Sequence, residues 1–225
     1  MNNLAFNLKK LFKDVEETCK KVSRNPQEIR IIAATKYADI QQVQLLYDLG
    51  IRDFGENKAD DLVCKSKCVK VDSIWHFIGH LQSNKIKKVV PIAEYIHSID
   101  SISTLSKIND FAKHISKIQN VLIEVNVSEE ETKYGLKIKE VNNFIHDSLK
   151  YDNIKICGLM TIAPLTNDFI YIRKLFISLK IALDDLNKSF KNLNMSELSM
   201  GMSNDFKIAI KEGATMIRIG SAIFK

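Results

Sequence analysis

The sequence predicts an α/β fold, a (β/α)8 TIM barrel with an extra N-terminal helix, and a single domain spanning residues 1–225. Three observations predict it. Eight short β-like runs occur, each of the first seven followed by a segment with helical periodicity. No linker or low-complexity stretch divides the chain, and only Pro26, Pro91 and Pro164 interrupt it. Glycines recur at two kinds of place, helix ends and strand ends. A doubly wound open sheet is the alternative arrangement of the same alternation.

Taken in order, the opening MNNLAFNLKKLFKDVEE has helical periodicity without the long apolar core of a secretory signal. IRIIAAT at 29–35 is the first strand, followed by the helical DIQQVQLLYDLG at 39–50. Gly50 then separates that helix from RDFGE at 52–56, the second strand. IWHFIG at 74–79, YIHSID at 95–100, VLIEVNV at 121–127 and KICGLMTI at 155–162 are the third to sixth. LSMGM at 198–202 is the seventh, and NDFKIAIKEG at 204–213 is its helix. TMIRIGSAIF at 215–224 is the eighth. Gly50 and Gly213 sit where a helix C-cap wants a left-handed residue. Gly55, Gly79, Gly201 and Gly220 sit at carboxyl ends of strands, the face where barrels keep their sites.

Composition excludes several function classes. The net charge of +6 invites a nucleic-acid reading, but arginine holds only five of the 33 basic positions. Arginine is the preferred fork for phosphate, and scattered lysines among acids describe a solvated face. No apolar run approaches a membrane span, so neither nucleic acid nor membrane is an expected partner. The four cysteines (19, 64, 68, 157) form no CxxC, which fits free thiols in a reducing, cytoplasmic setting. His76 and His80 form an HxxxH, but it straddles a strand end and a turn, so no metal site is expected.

Chemistry points first to Lys36, at the end of the run Ile31–Thr35. An amine at a strand's carboxyl end projects into whatever pocket lies above, and burial there would favour the neutral, nucleophilic form. LSMGMSND places Ser203, Asn204 and Asp205 at a helix start, and IRIGS places Gly220 and Ser221 at the end of strand eight. Small-residue loops after strands seven and eight are a common phosphate cradle in barrels. Arg218 alternates onto the face of Met216 and Gly220, and an inward guanidinium must find an acceptor or anion. An amine, a phosphate cradle and a guanidinium suit pyridoxal 5′-phosphate (PLP). They also suit a Schiff-base aldolase acting on a sugar phosphate, so residue chemistry alone leaves both.

The segments AATK (33–36), DFGEN (53–57), WHFIGHLQSNK (75–85), HSIDS (97–101), GLMTIAP (158–164), LSMGMSND (198–205) and IRIGSAIF (217–224) narrow the choice. In order and spacing the chain resembles the pyridoxal phosphate homeostasis protein family, related to the barrel domain of alanine racemase. The resemblance implies PLP as cofactor, held as an aldimine on Lys36. It implies Ser203, Gly220 and Ser221 at the phosphate, Arg218 facing the pyridine nitrogen and Asn57 at the cofactor edge. The KADD after Asn57 departs from the family pattern, so nothing beyond Asn57 is carried over.

The same resemblance implies intracellular PLP (vitamin B6) homeostasis without an established reaction. Physical chemistry agrees: an arginine beside the ring nitrogen disfavours its protonation and makes a poorer electron sink. Racemisation needs acid/base groups on both faces of the substrate, and among the tyrosines only Tyr37 adjoins Lys36. The resulting expectation is a PLP holder, not a robust enzyme, with apo PLP-enzymes as acceptors and a monomeric state. A weak PLP-dependent racemase or eliminase is the alternative. Lys133, on the loop after strand five, is a further amine that could meet incoming cofactor, or a solvated loop lysine.

Overall fold

Eight parallel strands close on themselves in chain order, so the open-sheet alternative is not what forms. The computed structural model describes residues 2–69 and 72–225. The strands are β1 (Arg30–Ala34), β2 (Asp53–Glu56), β3 (Ile74–Phe77), β4 (Tyr95–Ile99), β5 (Gln119–Glu124), β6 (Ile154–Met160), β7 (Glu197–Ser199) and β8 (Met216–Ile219). The ring closes where β8 pairs with β1, with Met216 opposite Arg30 and Ile219 opposite Ala33.

Helices α1 (Asn2–Lys21), α2 (Ile40–Asp48), α3 (Ala59–Ser66), α4 (Ile86–Val89), α5 (Ile102–His114), α6 (Ile138–Ser148), α7 (Phe169–Ser189), α8 (Phe206–Lys211) and α9 (Ser221–Phe224) clothe the outside. The N-terminal helix buries Leu4, Leu8, Leu11 and Val15, one stripe at helical spacing, and packs on α8 and α9. Caps follow the sequence where it is explicit. Asp39 and Gln42 form a reciprocal box at the start of α2, and Ser101 accepts from Thr104 N–H at the start of α5. Gly50 and Gly213 both adopt φ +100°, the left-handed turn expected between helix and strand.

Two apolar regions result. The larger lies between strands and helices and includes Phe54, Phe77, Ile96, Leu105 and Phe176. The smaller fills part of the barrel's inside with Ile32, Leu122, Cys157, Met160 and Met216, flanked by Tyr95. Met216 in that inner cluster fixes the facing of β8, so Arg218, two residues on, also points inward as alternation predicts.

The eighth strand is shorter than the sequence suggests. Ladder pairing with β1 ends at Ile219, and the chain turns into α9, where Ile223 is fully buried and its carbonyl accepts from Asn7 Nδ2 at 3.1 Å. Apolar SAIF is therefore one helical turn sealed by α1, not a continued strand.

Candidate functional site

Lys36 follows β1 at the barrel's carboxyl end, and its exposed side chain places Nζ 4.8 Å from the centre of the Tyr37 ring. The burial expected at this position is therefore absent around Lys36 itself. What is buried is the peptide before it. Thr35 is inaccessible, its hydroxyl donates to Glu56 Oε1 at 2.6 Å, and its carbonyl accepts from Lys65 Nζ at 2.7 Å. Lys65 also donates to Glu56 Oε1 at 2.6 Å, with the carboxylate wholly buried. A buried ion pair thus clamps the backbone from which Lys36 projects. Sequence reading missed this pair because Lys65 resembles any other lysine on a charged helix.

Asn57 leaves β2 exposed, with its backbone pressed against the loop after β3. A Cβ added at Gly79 would lie 2.3 Å from the Asn57 carbonyl oxygen and 2.8 Å from its Cα. Only glycine permits that approach, so Gly79 fixes the Asn57 loop. Further along the same rim the loops after β7 and β8 clasp each other: Ala222 N–H donates to Ser203 Oγ at 3.1 Å. Gly220 is half-buried and Ser221 exposed. Among the predicted cap residues Asp205 occupies the position, and its Oδ1 accepts from Met202 N–H at 2.5 Å instead of capping α8.

Arg218 is buried, and its guanidinium is held from one side. Nη1 donates to Ser199 carbonyl oxygen at 2.7 Å and to Ser199 Oγ at 2.6 Å, while Nη2 donates to the Thr161 carbonyl at 2.8 Å. These bonds engage three of its five N–H donors. Burial lowers its pKa to about 10, against the opposing pull of Asp205 and Glu124. Glu124, at the end of β5, is itself pushed up to about 7, first by burial and then by Asp100, with Arg218 pulling the other way.

Lys36, Asn57, Ser203, Arg218, Gly220 and Ser221 all sit on or just after β7, β8, β1 and β2. These four strands are consecutive around the barrel, so the six residues occupy one arc of its mouth. Glu124 lies on the opposite arc. The two histidines of the HxxxH part company. His76 is inaccessible inside the barrel, whereas His80 stacks on Tyr134 with ring centres 4.2 Å apart. That stacking brings a second tyrosine to the mouth beside Tyr37, which sequence adjacency alone did not reveal. Lys133 donates to Glu130 Oε1 at 2.9 Å within its own loop. A cleft of about 590 Å³ opens at the far, amino-terminal end of the barrel, where its charged lining is already paired, Arg30 with Asp53 and Arg52 with Asp72.

Comparison with known proteins agrees with this geometry. Residues 7–225 match the family model described as alanine racemase, N-terminal domain. The pyridoxal phosphate homeostasis protein of Aquifex aeolicus is 34% identical over 223 residues, covering 99% of this chain and 97% of that one. PipY of Synechococcus elongatus, solved with PLP bound, superposes with a TM-score of 0.84 at 28% identity, covering 94% of this chain and 100% of that one. A crystal structure of an unknown protein from Bifidobacterium adolescentis gives a TM-score of 0.94 at 32% identity, covering 99% and 95%.

Proposed function

We propose, from the premise that the chain belongs to the alanine racemase N-terminal domain family and within it to the pyridoxal phosphate homeostasis proteins, that it is a PLP-binding protein holding the cofactor on Lys36. The residues present fit that group by their chemistry. Lys36 offers an accessible primary amine, and Ser203 and Ser221 offer hydroxyls beside the start of α9. Arg218 keeps N–H donors beyond those given to Ser199 and Thr161, suited to a ring acceptor. Asn57 supplies a polar edge. When bound, PLP supplies an aldehyde that condenses with a lysine amine and a ring that draws electron density.

The observation carrying the reading is the shared arc: an amine, a hydroxyl-lined loop pair and an immobilised guanidinium on three consecutive strands, with Asn57 on the next. Arg218 cannot yield a proton cheaply even with its lowered pKa, so an acceptor facing it stays unprotonated. Tyr37 lies against Lys36 Nζ through its ring, and Tyr134 stacks on His80. The chain therefore suits reversible holding of PLP for vitamin B6 homeostasis, with apo PLP-enzymes as acceptors, better than turnover.

The deciding experiment is the visible spectrum with PLP, followed by borohydride reduction and peptide mapping. A reduced adduct on Lys36, lost in Lys36→Ala, supports the reading. Label spread over surface lysines overturns it. Transfer to an apo-enzyme no faster than release into solution would remove the delivery role. A second reading, a weak racemase or eliminase, has Glu124 in its favour, a mouth carboxyl exchanging its proton near neutrality. Sustained amino-acid turnover that disappears in Lys36→Ala would establish it.

A further inference from the structure

The inside of the barrel carries a feature that cofactor binding does not require: an unbroken line of polar side chains from its amino-terminal floor to Arg218. Asp53 Oδ1 lies 2.9 Å from His76 Nε2, and His76 Nδ1 lies 2.9 Å from His97 Nε2. His97 Nδ1 lies 2.9 Å from Ser199 Oγ, and Ser199 Oγ accepts from Arg218 Nη1 at 2.6 Å. His76, His97 and Ser199 are wholly inaccessible, so water completes none of these bonds.

With both rings neutral, as their complete burial favours, the two ends fix every proton between them. A carboxylate only accepts, so His76 carries its hydrogen on Nε2 and leaves Nδ1 as an acceptor. His97 must then donate from Nε2, which leaves its Nδ1 to accept from the Ser199 hydroxyl. Ser199, having donated its only hydrogen, accepts from the guanidinium. The line thus runs one way, Arg218 to Ser199 to His97 to His76 to Asp53, with both imidazoles neutral. Burial lowers the pKa of both rings, outweighing the upward pull of Asp53 and Glu94 on His76. Arg30 pairs with Asp53 at 3.6 Å and stacks on Tyr95, while Arg218 adds to the pressure against protonating His97.

Among the described residues, Arg218 has no carboxylate within ion-pairing distance. The anion reached from it by continuous hydrogen bonds is Asp53, at the opposite end of the barrel. We infer that Asp53 is a remote positioning residue for Arg218: through His76, His97 and Ser199 it fixes the orientation of the guanidinium that faces the pyridine ring of bound PLP. The inference rests on the proposed function for its consequence, though not for its geometry. Asp53 touches no ligand itself.

Two measurements test it. Long-range proton–nitrogen NMR of the full chain without added PLP reads the tautomers directly, and the sequence holds only five histidines. His76 and His97 are expected neutral, each protonated on Nε2, at pH 7. A cationic ring, or a hydrogen on Nδ1 of either, overturns the relay whether or not PLP binds.

The second is a cycle of PLP dissociation constants for the unmodified chain, Asp53→Ala, Ser199→Ala and the double variant. Each single change is expected to weaken PLP about tenfold, the scale of one hydrogen bond to a charged group. The double variant should be no weaker than the worse single one, because a line cut twice transmits nothing further. Unchanged affinity in Asp53→Ala, or losses that multiply, overturns the inference; His97→Phe replaces Asp53→Ala in the cycle if that variant does not fold. An unmodified chain that fails to take PLP on Lys36 would refute the proposed function instead, and the tautomers would still decide the relay.

Discussion

Replacing Lys65 with methionine isolates the buried clamp behind Lys36. Nζ of Lys65 makes two short bonds, to Glu56 Oε1 at 2.6 Å and to the Thr35 carbonyl at 2.7 Å, and the pair is shielded, with side-chain exposures of 10% and 0%. Methionine keeps the aliphatic volume and removes the charge. Glu56 is then left with the Thr35 hydroxyl at 2.6 Å and the longer Asn57 N–H at 3.3 Å, neither of which is a counter-charge. Breaking one side of a buried pair costs about 3–5 kcal/mol, and the surviving donors place this case near 3 kcal/mol. Urea unfolding measures it, with an unchanged slope showing that the two-state comparison holds. Removing both partners in Lys65→Met/Glu56→Leu should cost clearly less than the summed single losses. A Lys65→Met loss below about 1 kcal/mol, the scale of a solvated surface pair, would refute the reasoning.

Three further outcomes follow from the same structure. Gly79→Ala forces a Cβ to 2.3 Å from the Asn57 carbonyl, so it should cost about 1–3 kcal/mol in urea unfolding and weaken PLP binding in fluorescence titration. Glu124 binds its proton more tightly folded than unfolded, with a pKa raised from 4.5 to about 7. Its contribution is therefore full below pH 4.5 and is lost as pH rises towards 7, on the order of 3 kcal/mol in all, and Glu124→Gln should remove that slope from unfolding measured at pH 5 and 8. Cys64 and Cys68 are exposed whereas Cys19 and Cys157 are buried, the latter pushed up to about 11 by burial. A thiol reagent should therefore titrate two cysteines in the native protein and four in denaturant.

The fold was legible because each unit carries its own punctuation. Alternating apolar runs, Gly50 and Gly213 between helix and strand, and polar caps such as Asp39 and Ser101 are local signals. The end of β8 was not, since SAIF is apolar enough for strand or helix and the choice is made by where β1 stops pairing. At the mouth, residues that follow strand ends could be placed by counting: Lys36, Asn57, Gly220 and Ser221 fall together once the barrel closes. Lys65, Glu56, His97 and Ser199 could not. Their roles depend on contacts across 9 to 102 residues of chain, and alternation says only which face of a strand each occupies.

The barrel's inside explains why those residues matter more than their anonymity suggests. Barrels commonly fill this space with layers of branched aliphatic side chains. Here the inner apolar cluster is Ile32, Leu122, Cys157, Met160 and Met216, and beside it stand Asp53, His76, His97, Ser199 and Arg218. An apolar filling of similar volume would be no less stable, since buried polar groups at best recover what they lose on leaving water. A polar line that, with neutral rings, is fully bonded in one proton arrangement instead selects one rotamer of Arg218. For the proposed role of holding a ring acceptor without protonating it, that selection is worth more than extra stability. Arginine could be placed on β8 by many sequences, but a filled interior holds its guanidinium through Ser199 and Thr161 in one place.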